Sequence, residues 1–262
     1  MKNKILTELK TVWAGQTCLC FDTLESTNDY AKELLKQEDC HGSLVVADCQ
    51  TAGKGRRGRV WESQNGTTVA MSLCLEPQIP AEKVSGLTLV AALAAAEAIR
   101  EICNAPVQIK WPNDLVLNHR KICGILTEMI FRGGAYGVVV GWGINVNNES
   151  FPEEIAEIAG SLRGETGKMF SREAIIAAVL QKFEQYYECY LETENLSLLK
   201  AQYEALLVNQ GREVQVLDPA SPYQGTAEGI NAAGNLLVRC ADGRIREVWS
   251  GEVSVRGLYG YV

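Results

Sequence analysis

The chain has 262 residues, 47% hydrophobic and 22% charged, with a formal net charge of −7. That composition suits a soluble protein with a sizeable core, one large domain or a medium one plus a small one. The acidic balance disfavours a surface for bulk nucleic-acid binding, and no run of residues is long and apolar enough to cross a membrane.

Nine cysteines are present, but apart from Cys18 and Cys20 they are isolated, no Cys-x-x-Cys pair occurs, and only two histidines accompany them. Scattered thiols behave as small hydrophobes and argue against both a zinc site and a disulfide framework. The chain reads as a cytoplasmic protein, with no signal peptide in Met1–Glu8.

In chain order, residues 17–22 predict a short strand. Ser26 with Asp29 three positions on predicts a capped amphipathic helix to about Leu35. Residues 43–49 form the next strand, a basic glycine-rich loop follows, and Thr67–Leu75 is β-rich. Residues 82–103 are apolar nearly all round, which predicts a buried helix. Strands are expected at Val107–Trp111, Leu115–Leu117, Ile122–Met129 and Tyr136–Asn147, with Asn118-His119-Arg120 as a tight turn. Helices follow at 171–191 and 196–208. Beyond Asn209-Gln210-Gly211 the pattern changes to short alternating strands, four or five in about fifty residues, which reads as a small barrel.

The loop Gly53-Lys54-Gly55-Arg56-Arg57-Gly58-Arg59 interleaves three glycines with four cations. Glycine allows close backbone approach, and Arg and Lys donate charge-assisted hydrogen bonds to carboxylate or phosphate. It is neither a P-loop nor a dinucleotide fingerprint, and alone it reads more readily as a solvated turn than as an anion site. The informative pattern is its order with Ser26-Thr27-Asn28, Gln50, Lys110-Trp111-Pro112-Asn113-Asp114, Arg120-Lys121-Ile122-Cys123-Gly124 and Gly141-Trp142-Gly143-Ile144-Asn145. That ordered set closely resembles the biotin protein ligases, and the tail from about residue 211 resembles the small β-domain of that family.

The resemblance implies an α+β fold: a mixed-sheet catalytic domain of the class II aminoacyl-tRNA synthetase-like type over 1–209, and an SH3-like barrel over 210–262. It implies activation of biotin by MgATP to biotinyl-adenylate, then transfer to one lysine of a biotin carboxyl carrier domain. Lys121 and Arg56 are the implied catalytic cations. Ser26, Thr27, Asn28, Gln50, Lys54, Gly55, Arg56 and Lys121 would hold biotin. Arg57, Arg59, Trp61, Lys110, Asn113, Asp114 and Asn145 would hold ATP, with Asp114 on Mg²⁺. Each has a plainer reading: Ser26 as a helix cap, Lys121 as a hairpin lysine, Trp61 as core.

Two departures from the family pattern are visible. Lys54 stands where arginine is common, and residues 148–170 lack the tryptophan expected near the adenine, holding only Phe151 and Phe170. The motifs begin within the first thirty residues, which implies the form without a helix-turn-helix DNA-binding domain and no nucleic-acid partner. Monomer and homodimer both stay open. Competing readings are a lipoate–protein ligase and a non-catalytic biotin-binding regulator.

Overall fold

The computed structural model describes residues 1–37, 39–218, 221–250, 254–257 and 261–262. Its larger sheet has seven strands: β1 (Cys18–Leu24), β2 (Leu44–Gln50), β3 (Thr68–Leu75), β4 (Gln108–Lys110), β5 (Asp114–Leu117), β6 (Arg120–Arg132) and β7 (Ala135–Asn145). They lie in the order β1-β2-β3-β7-β6-β5-β4, with β1 and β2 parallel and every other pair antiparallel.

Alternation along the strands sends residues to two faces. Leu44 and Val46 of β2, and Val138 and Val140 of β7, join the main core beneath two long helices, α3 (Gly86–Cys103) and α5 (Arg172–Thr193). Val45 and Val139 point the other way, onto Ala31 and Leu35 of α2 (Thr27–Gln37). Helix α3 is apolar all round because it is sandwiched: it packs on the sheet and on α5. Its run from Leu87 to Ala96 is buried throughout.

A second sheet is antiparallel, of strands β8 (Glu213–Leu217), β9 (Tyr223–Ile230), β10 (Leu236–Arg239), β11 (Ile245–Val248) and β12 (Ser254–Gly257), ordered β11-β10-β9-β8-β12. Among the described residues no pairing joins β11 to β12; the five antiparallel strands are the small C-terminal β-domain that the sequence leads one to expect. Three contacts seat it beside the larger sheet. Trp111 Nε1 donates to the Gly234 carbonyl at 3.0 Å, the Trp111 backbone N–H donates to Asn209 Oδ1 at 2.9 Å, and the Ile230 N–H donates to Glu204 Oε1 at 2.9 Å. Trp111 is therefore core packing, as its apolar neighbours suggest.

The β5–β6 hairpin turns on Asn118 and His119, both left-handed at φ 49° and 66°. Two positive-φ residues match the right-handed strand twist. Gly133-Gly134 makes a second such turn, which lets β6 run to Arg132, three residues past the expected end. Two short helices were not expected: α1 (Lys2–Glu8) and α4 (Leu162–Thr166), the latter capped by Ser161 Oγ accepting the Gly164 N–H. The helix expected from 82 begins at Gly86, after a 3-10 turn at Ala81–Lys83, and the one expected over 196–208 narrows to α6 (Lys200–Leu206).

Candidate active site

The start of α2, the end of β2 and the middles of β6 and β7 converge on a polar pocket of about 450 Å³, part of it open to solvent. Ser26 Oγ accepts the Asp29 N–H at 3.4 Å, so it caps α2 and also lines the pocket. The reciprocal half of the capping box is absent, because the Asp29 carboxylate turns to Lys32 at 2.9 Å and Lys54 at 2.7 Å. Desolvation pushes the Asp29 carboxyl upward, but those two lysines outweigh it and hold it below its ordinary value.

Further in, Thr27 N–H donates to Gln50 Oε1 at 2.8 Å, and Asn28 Nδ2 donates to Glu128 Oε2 at 2.8 Å. Gly141 makes room for this arrangement, since a Cβ there would overlap Asn28 Oδ1. Gly124 and Gly143 do the same for Trp61, whose indole lies against both. The buried Trp61 Nε1 has no acceptor among the described residues.

A second, larger cavity adjoins the first, and Gly55, Arg56, Trp61, Asn113 and Lys121 line both. Arg57, Arg59, Lys110 and Asp114 line the second and not the first. The loop is folded over the junction: Gly55 N–H donates to the Arg59 carbonyl at 2.7 Å, and Arg57 takes a left-handed φ of 60°. Arg56 Nη1 donates to Asn113 Oδ1 at 2.8 Å, and Nη2 donates to the Ser250 carbonyl. Desolvation lowers the Arg56 pKa, Asp114 opposes the shift, and Arg57 and Arg59 add to it.

Asp114 is the one carboxylate among the described residues lining the second cavity. Its Oδ1 lies 2.7 Å from Lys121 Nζ, and its Oδ2 accepts from the Tyr261 hydroxyl. Burial pushes the carboxyl upward, but the Lys121 and Lys110 charges, then the hydrogen bonds from Lys121 and Tyr261, hold it below its ordinary value. Lys110 Nζ sits 3.5 Å from the Tyr261 ring centroid, a cation–π contact.

The structure thus gathers all but one of the candidate residues around two joined cavities. Asn145 lines neither: its Nδ2 donates to the Gly160 carbonyl at 3.0 Å, tying the end of β7 to the segment before α4. Sequence reasoning missed Ser72, Glu128, Ile158 and Tyr261. Ser72 carried a usable signal, as a hydroxyl inside the otherwise apolar run 69–75 of β3, all of it buried. Ile158 and Tyr261 line the second cavity from far along the chain, and no local pattern marks them.

Fold and site define a class: a protein whose small polar pocket opens into a larger cationic cavity under a basic loop, with one lysine lining both. The signature of the Biotin/lipoate A/B protein ligase family matches residues 20–145, and that of the biotin protein ligase C-terminal domain matches residues 211–256. The chain is 39% identical over 250 residues to the bifunctional ligase/repressor BirA of Bacillus subtilis, covering 94% of this chain and 76% of that protein. It is 34% identical to the biotin--[acetyl-CoA-carboxylase] ligase of Paracoccus denitrificans, covering 84% of this chain and 93% of the other. A biotin protein ligase from Aquifex aeolicus, solved in complex with biotin and ATP, superposes with a TM-score of 0.83 at 32% identity, over 92% of this chain and 99% of that one. The chain belongs to the biotin protein ligase family.

Proposed function

We propose that the protein joins biotin to ATP as biotinyl-5′-adenylate and passes the biotinyl group to a lysine of a biotin carboxyl carrier domain. The observation that carries this reading is the placement of Lys121, which lines both the polar pocket and the cationic cavity. A carboxylate and an α-phosphate brought to that junction are two anions in contact, and a shared ammonium offsets their repulsion. Negative charge that develops on the phosphate oxygens as the carboxylate attacks phosphorus meets the same cation, already in place.

The pocket of Ser26, Thr27, Asn28 and Gln50 supplies the donors and acceptors of a ureido ring. Arg57, Arg59 and Lys110 supply charge for a triphosphate, and Arg56, Lys54 and Gly55 close over the junction. Trp61, with its face toward Lys121 and its edge against Gly143, walls the adenylate in. Magnesium suits the donor set: a single carboxylate, Asp114, beside a cation-rich cavity fits an ion that prefers one or two carboxylates plus phosphate oxygens. When bound, the ion would neutralise phosphate charge; Asp114 would hold it after exchanging Lys121 as partner.

The acceptor lysine must reach the anhydride after pyrophosphate leaves, so the basic loop has two duties, retention and then admission. Biotin-dependent ATP–pyrophosphate exchange tests the first half, and mass spectrometry of a carrier domain incubated with the protein, biotin and MgATP tests the second. Exchange that runs equally well with lipoate, or without biotin, refutes the substrate.

A further inference from the structure

Around the Thr27 hydroxyl, three short oxygen–oxygen contacts share two protons. Ser72 Oγ lies 2.8 Å from Thr27 Oγ1 and 2.6 Å from Asn28 Oδ1, and Thr27 Oγ1 lies 3.0 Å from Gln50 Oε1. Each hydroxyl carries one proton and the amide oxygens carry none.

The two amides are oriented independently of these contacts. Asn28 Nδ2 donates to Glu128 Oε2 at 2.8 Å and to the Leu126 carbonyl at 3.3 Å, both of them acceptors, so Asn28 Oδ1 faces Ser72. The Thr27 backbone N–H fixes the Gln50 carboxamide in the same way, by donating to Oε1 at 2.8 Å. Ser72 therefore gives its proton to Asn28 Oδ1, because no other group there can. Thr27 gives its own to Ser72, the nearer of its two oxygen neighbours. The Thr27–Gln50 contact is left with two acceptors and no proton, and both residues line the pocket.

We infer that Glu128, acting through Asn28 and Ser72, sets the Thr27 hydroxyl as an acceptor, so that the pocket selects a ligand presenting an N–H between Thr27 and Gln50. The inference rests on the biotin reading and deepens it, since a ureido N–H supplies the missing proton. Lys32 holds the far end of the chain, with Nζ 2.8 Å from Glu128 Oε1 and 2.9 Å from Asp29 Oδ1. Ser72 is fully buried and, like Glu128, does not line the pocket. Both are positioning residues. A methylene in place of the N–H leaves two buried acceptors facing each other, and sites built to hydrogen-bond a ligand reject analogues that lack the group.

The test is calorimetric binding of biotin and of two analogues, each with one ureido N–H replaced by CH₂, alongside binding of MgATP. The parent should prefer biotin over at least one analogue by about 10²-fold or more. In Ser72→Ala and in Glu128→Leu that preference should fall about tenfold, since Thr27 is then free to turn its proton to Gln50 before the ligand arrives. MgATP affinity should stay unchanged. An unchanged preference in both single variants overturns the inference and leaves the biotin reading intact. Lost MgATP binding in Glu128→Leu makes Glu128 a structural residue and overturns its role. A parent protein that binds neither biotin nor the analogues refutes the biotin reading itself.

Discussion

Lys121→Ala should lower biotin-dependent pyrophosphate exchange by about 10²–10³-fold, the loss typical of removing one preorganised donor from a developing anion. No neighbour takes over the position. Arg56 also lines both cavities, but its guanidinium is committed to Asn113 and the Ser250 carbonyl. The same substitution strands Asp114, whose Oδ1 lies 2.7 Å from Lys121 Nζ. Removing one partner of a buried pair costs about 3–5 kcal/mol. Here the Lys121 side chain is 24% exposed, and Lys110 and Tyr261 remain on Asp114. We therefore expect about 1–2 kcal/mol, a Tm lower by about 2–8 °C for a chain of this size. Adding Asp114→Asn removes the stranded charge, so Tm should recover while exchange stays low. Thermal melts and exchange assays on the three proteins separate the two effects. A Lys121→Ala protein with parental Tm and near-parental exchange refutes the role assigned to this lysine.

Gly141→Ala should weaken biotin binding at least tenfold and spare MgATP, because the added methyl displaces the Asn28 carboxamide; calorimetry with each ligand reads both. Arg56→Gly should release the adenylate instead of abolishing its formation, seen as biotin on albumin lysines in the same tube; lost exchange with no bystander labelling makes Arg56 a chemical-step residue. Trypsin should cut after Lys54, Arg56, Arg57 and Arg59 more slowly with biotin and MgATP than without, because bound anions add charge-assisted hydrogen bonds to a loop whose ordering costs about 1–2 kcal/mol per residue. Asp114 titrates in the folded protein below its ordinary value. Its contribution to stability is therefore complete above about pH 4 and is lost as pH falls through the lower folded value. Tm measured from pH 6 downward should fall more steeply in the parent than in Asp114→Asn, and parallel curves would deny the linkage.

The strands and long helices were legible because short apolar runs bury both faces of the sheet, as in β2 and β7, or fill a whole helix surface, as in α3. Short elements set by tertiary contact were not. Helix α1 has seven residues and a single buried one, Ile5, so its pattern is too brief to read. The site was legible in the charges and glycines of Gly53–Arg59 once these were taken in order with the motifs at Ser26–Asn28, Lys110–Asp114 and Arg120–Gly124. The proton-ordering layer behind it was hidden for a physical reason. Ser72 and Glu128 lie within strands and reach the pocket through the first turn of α2: Asn28 is 44 residues from Ser72 and 100 from Glu128, and Ser72 also meets Thr27. Tyr261 meets Asp114 across 147 residues. Asn145 shows the converse: a motif residue whose amide, in this structure, serves the backbone.

The cations of the site are not bare. Lys54 rests on Asp29, Lys121 on Asp114, Lys110 over the Tyr261 ring, and Arg56 on Asn113 and Ser250. Anionic substrates therefore exchange one set of partners for another, and the ground state gains little from raw charge attraction. What the internal partners provide is position. Each ammonium or guanidinium is fixed before the ligand arrives, so the reorganisation that water would require during charge development is already complete. Two of the fixing groups, the Ser250 carbonyl and the Tyr261 hydroxyl, come from beyond the larger sheet. The second sheet is thereby joined to the adenylation chemistry, and Tyr261→Phe tests the link. Loss of that one hydroxyl should weaken MgATP binding or slow exchange while biotin binding holds, because Asp114 alone loses a donor; equal loss of both ligands would mean that the tyrosine merely seats the sheet.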